Sequence, residues 1–430
     1  VTKRHERTFI ITILSAAILL GYAGVSQARE NVLNQGDTAW MLVSSALVLL
    51  MLPGLALFYA GMVRSKNVLG TMMHSFSAMA IISIQWIIIG YSLSFGADKG
   101  HFWGGLDFLF LNGIGLDSIR GTVPTYAFIM FQGMFAVITP ALISGALAER
   151  VKFSAYMVFI LLWSTLVYDP IAHWVWGPGG WLAELGTADF AGGIVVHISS
   201  GISALAAIKV LGARRGFLKE MLIPHNLGMA LLGAGLLWFG WFGFNAGSAL
   251  AAGTSAALAF TNTHLAAAAG ALAWMVSEWA HQGKPSALGL ASGLVAGLAT
   301  VTPAVGFVTP LWALVIGLIA GVLCYKAILL KNRYHYDDSL DVFGIHGVGG
   351  IFGTLAAGIF GTIGIKGIIA GNIHQFLVQL LGVAAAGAYA FVVTLIIVLV
   401  LDKVMGLRVE AEEEIIGLDR TQHGEVGYSF

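Results

Sequence analysis

Apolar residues in this chain come in long blocks separated by short polar stretches. The blocks fall at about 39–61, 69–95, 123–147, 154–177, 190–211, 226–246, 255–280, 287–305, 309–330, 340–361 and 372–402. A helix needs about 20 apolar residues to cross the hydrocarbon of a bilayer. The pattern therefore predicts an all-α polytopic membrane protein with eleven transmembrane helices. A different kind of segment precedes them. Lys3, Arg4 and Arg7 lead into an apolar run from Phe9 to Val25 that ends in Ser26-Gln27-Ala28. A basic start, a short apolar middle and small residues before a cut describe a secretory signal peptide over 1–28, cleaved after Ala28. The rival reading is a first transmembrane helix, for which the run is short.

Composition agrees with the blocks. Hydrophobic residues make up 58% of the 430 and charged residues 10%, with a mean hydropathy of +0.85. A soluble domain carries about 25% charge, so this chain lacks the means to solvate a water-facing exterior. The 56 glycines suit close helix packing in lipid. Acidic and basic residues balance at 22 each, which removes the basic footprint of a nucleic-acid binder. The single cysteine, Cys324, excludes an internal disulfide or a thiolate metal cluster.

The basic residues also orient the chain. With the mature N-terminus outside, fifteen of the 22 Lys and Arg fall in inner loops and adjoining helix ends. Four fall outside, and three belong to the leading segment. That bias follows the positive-inside rule. It gives an N-out, C-in arrangement in the inner (plasma) membrane, which an odd number of spans requires. The chain divides into the leading segment 1–28, a membrane domain over 29–402 and a cytoplasmic tail over 403–430.

An ionisable residue inside a span is a functional hypothesis. The fifth span opens with Asp189-Phe190-Ala191-Gly192-Gly193 and carries His197. The tenth opens with Asp341-Val342-Phe343-Gly344 and carries His346. Because one begins outside and the other inside, spans 1–5 and 6–10 read as two inverted five-helix repeats, followed by a final helix. Inverted repeats place a substrate path at their interface. The two histidines would then meet near the membrane centre; two separate buried histidines in helix packing are the alternative. Asp189 and Asp341 read first as helix N-caps. Asp169, before Pro170, is a charge in an apolar helix, read as pairing with a neighbouring helix. Aromatic residues gather near the outer helix ends: Phe131 and Phe135 one turn apart, Trp176, and Phe244 four residues before Ser248. An interfacial belt accounts for any one of these rings; a convergent set with a hydroxyl suits a small cation.

These motifs resemble the ammonium transporter family (Amt/MEP/Rh), and its bacterial Amt branch in particular. The similarity rests on the two histidine segments and on Phe242-Gly243-Phe244-Asn245-Ala246-Gly247-Ser248. Pro53-Gly54-Leu55-Ala56-Leu57-Phe58-Tyr59, Gly145-Ala146-Leu147-Ala148-Glu149-Arg150, and the tail Gly417-Leu418-Asp419 with His423-Gly424-Glu425 add to it. They run in order from about residue 37 to the C-terminus. The resemblance implies a homotrimer with one pore per subunit. It places Phe131, Trp176 and Ser248 in an outer ammonium recruitment site, Phe135 and Phe244 in a stacked gate, and His197 and His346 along the pore. Asp189 would support the region below the recruitment site and deprotonation there. The tail would help dock a trimeric PII signal protein; a solvated charged end is the plain alternative. The stretch Gly177-Pro178-Gly179-Gly180-Trp181 is one residue longer than in some members, which bears on the register of Trp176.

The chemistry stands beside the resemblance. Ammonium and potassium are alike in size and charge, but only ammonium donates hydrogen bonds and can lose a proton. Dehydrating a bare cation is costly, and neutral ammonia avoids most of that cost. A narrow apolar pore therefore favours ammonia, and two imidazoles offer it a donor and an acceptor. Methylammonium is a further candidate solute. No cofactor and no metal site is expected, because two histidines without a third convergent ligand hold a metal poorly. The chain is accordingly read as a transporter and not a membrane-embedded enzyme. A sensor is disfavoured by the short tail, and a neutral-solute channel of the water or glycerol type is the nearest rival.

Overall fold

The computed structural model describes residues 32–429; the leading segment 1–28 lies outside the described residues. The eleven expected membrane elements are present, ten as long apolar helices and one as a shorter helix. They are α1 (Gln35–Met62), α2 (Ser65–Phe95), α3 (Thr125–Leu147), α4 (Phe153–Glu184), α5 (Gly193–Leu211), α6 (Leu227–Gly247), α7 (Thr254–Gln282), α8 (Ala287–Val301), α9 (Pro310–Tyr334), α10 (Phe343–Phe360) and α11 (Ile373–Met405). The fold is thus an all-helical, multi-pass membrane fold.

The short element is α8, which stops before the expected 305. Thr302 keeps helical angles, φ −45 and ψ −50, but Pro303 after it has no N–H to carry the helical hydrogen-bond ladder further. The turns that follow are buried inside the protein, where non-helical backbone can find partners. One such partner is Phe190, whose amide donates to the Pro303 carbonyl at 3.1 Å.

Small residues set which helices touch. In α1 and α6, the Cβ positions of Gly61 and Gly233 would press on the facing backbone. In α5 and α10, a Cβ on Gly201 would collide with the Gly347 backbone. This close approach brings the histidine-bearing turns together. Both turns are π-helical, Gly193–Ile198 in α5 and Phe343–Gly347 in α10, a local widening that recurs at functional sites.

At one end of the bundle the segment between α2 and α3 forms two small antiparallel hairpins. Strand β1 (Asp98–Lys99) pairs with β2 (Trp103–Gly104), and β3 (Ile119–Arg120) with β4 (Val123–Pro124). At the opposite end the C-terminal tail folds into α12 (Ala411–Ile416) and α13 (Leu418–His423). This tail is packed, not a loose solvated end. Leu418 N donates to Asn67 Oδ1 at 2.9 Å, Gly70 N to Asp419 Oδ1 at 2.8 Å, and Arg215 N to Glu414 Oε1 at 2.6 Å.

Beneath the tail, Glu149 receives Arg64 Nε at 2.9 Å, Asn67 Nδ2 at 2.9 Å and Arg214 Nη1 at 3.0 Å. Arg214 also grips Asp337, at 2.8 Å from Nη2 to Oδ1. Burial alone would push the Glu149 carboxyl up; the guanidiniums of Arg214 and Arg64 outweigh it and hold the group at about 2.

Candidate functional site

The path between the two ends is built on α3, α5, α6 and α10, with Trp176 contributed by α4. On the side away from the tail lies a cavity of about 380 Å³. Its walls include Phe95, Arg120, Phe128, Gln132, Phe135, Trp176, Asp189 and Ser248. Trp176 meets Phe135 edge-on, with centroids 5.9 Å apart and planes at 88°. Its indole N–H donates to the Asp189 carbonyl at 2.9 Å, so the longer glycine stretch after it leaves the ring at the vestibule. The Ser248 hydroxyl donates to the Phe244 carbonyl at 2.8 Å. Its hydrogen is therefore committed and its oxygen keeps acceptor capacity.

Phe131 is placed differently from its expected partners. It is fully buried and sits behind Phe135, with ring centroids 5.0 Å apart, beside Gly247. The cavity wall is instead shared by Gln132 and Arg120, which the sequence reading did not single out. Gln132 is adjacent to Phe131 in a helix that is buried almost all round, so no amphipathic stripe marks it. Arg120 reaches the cavity only because the 96–124 segment folds back as hairpins.

Below the vestibule, Phe135 and Phe244 stack with centroids 4.2 Å apart and planes at 33°. They separate the vestibule from a smaller cavity of about 10 Å³, lined by Leu55, Ile138, Leu142, His197, Trp241, Phe244, Ile345 and His346 among others. That volume admits about one water-sized molecule.

The two histidines meet here. Their rings lie 5.2 Å apart at 18°, and His346 Nδ1 is 3.2 Å from His197 Nδ1. His197 also stacks on Trp241 at 5.7 Å. Its Nε2 is buried and has no hydrogen-bond partner among the described residues. The Nδ1–Nδ1 bond couples the tautomers. Whichever ring donates through Nδ1 has a bare Nε2, and its partner then carries hydrogen on Nε2. The outer nitrogens of the pair thus present one acceptor and one donor to anything in the cavity.

Each histidine turn is held by a carboxylate eight residues before it. Asp189 accepts four backbone amides: Gly192 N at 2.9 Å, Gly193 N at 2.6 Å, Ile194 N at 2.7 Å and Val195 N at 3.2 Å. Gly192 supports this turn with φ 115, a left-handed conformation that glycine adopts freely. The N-cap reading of Asp189 therefore holds. For the tenth span the expected cap was Asp341, and that is corrected. Asp338 does the capping, accepting Val342 N at 3.0 Å and Phe343 N at 2.7 Å. Asp341 takes a left-handed backbone, φ 63, and pairs instead with Lys331. Burial, and then the charge of Asp341, push the Asp338 carboxyl up to about 6. Asp169 pairs with a neighbouring helix as expected, accepting Gln85 Nε2 at 2.7 Å. Among the described residues no cluster of three or more His, Cys, Asp or Glu side chains could hold a metal ion.

A multi-pass helical bundle with a polar pair sealed inside an apolar passage belongs to the class of membrane transport proteins. The comparisons give the family. Residues 39–428 match the family model described as Ammonium Transporter Family. An ammonium transporter of Bacillus subtilis is 48% identical over 404 residues, covering 92% of this chain and 99% of that one. One of Aquifex aeolicus is 49% identical over 420 residues, covering 96% and 98%. Among solved structures, Saccharomyces cerevisiae Mep2 aligns with a TM-score of 0.83 at 38% identity, covering 90% of this chain and 91% of that one. A structure described as a sensor Amt protein aligns with a TM-score of 0.85 at 32% identity, covering 90% and 98%. This chain belongs to the ammonium transporter family: it is a transporter and not an enzyme.

Proposed function

We propose that this protein captures ammonium in the Trp176–Ser248 vestibule, strips a proton from it there and conducts ammonia past the twin histidines into the cytoplasm. One observation carries the reading. His197, whose buried Nε2 has no hydrogen-bond partner among the described residues, lines a cavity sized for one small molecule and is hydrogen-bonded at its other nitrogen to a second imidazole. In an apolar interior an unpaired polar nitrogen is costly, and a passing solute that both donates and accepts hydrogen bonds relieves that cost. Ammonia does both; potassium does neither.

At the vestibule, aromatic faces attract a small cation, and the free lone pairs of Ser248 replace part of its water shell. Phe131 backs the ring that the cation meets. Phe135 and Phe244 form the gate, which opens by ring rotation. Asp189 acts by fixing the turn, because its carboxylate oxygens are already occupied by four amides. Deprotonation is then assisted by the field of the site, with the proton leaving to vestibule water.

In this reading the vestibule faces outside and the tail faces the cytoplasm of a plasma-membrane homotrimer. Residues 1–28 are removed as a signal peptide. The tail over 403–430 supports docking of a PII signal protein. The transport reading is tested by reconstituting the full chain in liposomes and imposing an ammonium gradient. Saturable ammonium flux, competed by methylammonium and accompanied by no water or glycerol permeability, is expected. Water or glycerol flux that ammonium does not affect would establish the neutral-solute channel instead. For the tail, deletion of 412–430 is expected to abolish PII-dependent inhibition in the same liposomes, and inhibition that survives the deletion would refute the docking role.

A further inference from the structure

The vestibule wall carries a positive charge. Arg120 leaves the β3–β4 hairpin and lays its guanidinium over two rings, with Cζ 4.1 Å from the Phe128 centroid and 5.0 Å from that of Phe95. All three residues line the cavity that Trp176 and Ser248 line. Among the described residues no carboxylate lies within ion-pair distance of Arg120. The one acidic residue on the same wall is Asp189, whose oxygens are engaged by four amides.

A site proposed to recruit a cation thus contains a resident cation. Arg120 occupies faces of Phe95 and Phe128, so these rings are not open to an incoming ion as Trp176 is. Its charge also raises the cost of any second positive charge in the cavity, where low-dielectric walls concentrate the field. A neighbouring like charge favours the neutral form of a titratable group. For ammonium the consequence is specific. Its N–H bond breaks heterolytically, the electron pair stays on nitrogen, the proton leaves through vestibule water to the bulk solvent and takes the positive charge out of the cavity, and the product left there is neutral ammonia. A cation without a dissociable proton has no such escape and is only repelled.

We propose that Arg120 is a specificity-determining residue of the vestibule: it weakens capture of the ion and promotes its conversion to ammonia, at the expense of permanent cations. This rests on the ammonium reading above.

The test uses the full chain in liposomes, with ammonium saturation curves recorded between about 10 mM and about 300 mM ionic strength, where screening lengths fall from about 30 Å to under 8 Å. For the parent, the apparent KM should fall as salt rises, because screening relieves the repulsion. R120Q should lower KM about two- to fivefold at low salt without raising kcat, and its KM should lose the salt dependence. R120K should retain the salt dependence. R120Q should also let tetramethylammonium inhibit more strongly.

A merely structural role for the ring contacts predicts the opposite: a higher KM in R120Q, insensitive to salt. That result, or a parent KM that is flat or rises with salt, overturns the proposal, and the parent measurement stands even if R120Q does not fold. A parent with no saturable ammonium transport overturns the ammonium reading and this inference with it. A parent that transports while R120Q matches it in KM overturns this inference alone.

Discussion

The two histidine turns are built alike and set in different surroundings. Each begins with a carboxylate eight residues before the histidine, and each is π-helical. Asp189 accepts four amides beside an open vestibule. Asp338 accepts two and stands among charges, near the Lys331–Asp341 pair and next to Asp337, which Arg214 grips. Both turns are therefore held by a carboxylate of their own segment; they differ in how many amides it accepts and in the charges that surround it. Breaking one should disturb the site locally. Breaking the other should be felt through the charged layer on which the tail rests.

The largest effect is expected where the two turns meet. His197→Ala or His346→Ala removes half of the donor–acceptor pair and leaves the other ring without its mate, at a cost of about 1–3 kcal/mol. Ammonium flux in liposomes should fall by at least about tenfold, with the protein still folded by size-exclusion chromatography. His197→Asp places a carboxylate in the passage and should admit potassium. Parent-like ammonium flux in both alanine variants, with the acidic variant closed to potassium, would remove the twin histidines from the explanation of selectivity.

The two carboxylates give the next largest contrast. Asp189→Ala orphans four amides and should cost more than about 2 kcal/mol; Asp338→Ala orphans two and should cost about 1–2 kcal/mol. Thermal unfolding midpoints in detergent should rank parent, Asp338→Ala, Asp189→Ala in descending order. Equal midpoints for the two variants would mean that the number of amides a carboxylate accepts does not set how firmly its turn is held.

A smaller effect belongs to the vestibule alone. Trp176→Leu should raise the apparent KM for ammonium about three- to tenfold, because it removes a ring face worth about 0.5–1 kcal/mol or more to a cation. Saturation curves on the reconstituted variant measure this. An unchanged KM would take Trp176 out of the capture site.

Much of this arrangement was legible in the sequence. Block lengths located the eleven membrane elements, and two ionisable residues that lipid would not tolerate marked the buried histidine pair inside the bundle. What escaped was set by tertiary detail. Anchoring the tenth span on Asp341 followed the glycine at the motif's fourth position, whereas Asp189–His197 and Asp338–His346 share a spacing of eight residues. That equal spacing was the available signal for Asp338. Phe131 carries the right chemistry, but the turn of α3 that presents Phe135 and Gln132 to the cavity directs Phe131 behind them. Arg120 lies in a polar connection whose return to the vestibule depends on hairpins of two-residue strands, too short to leave a periodic pattern.

The last contrast concerns pH, and near neutrality its effect should be nil. Glu149 is held at about 2 by Arg214 and Arg64, against an ordinary value of 4.5. A carboxyl depressed in the folded state contributes stability that is complete above its unfolded value and is lost as pH falls toward its folded value. The window is therefore pH 4.5 down to about 2. Over it the group should give up on the order of 3 kcal/mol, taking about 1.4 kcal/mol for each unit of pKa. Because Asn67 joins Glu149 to the tail through Leu418, the first sign should be release of the tail. Limited proteolysis with an acid-active protease should cut within 403–430 as pH drops through this range, while at pH 6–8 the tail stays protected. Glu149→Gln keeps the shape, removes the charge, and should expose the tail at neutral pH. Protection that persists in Glu149→Gln, or a tail that is released between pH 6 and 8 in the parent, would mean that the charged layer does not hold the tail in place.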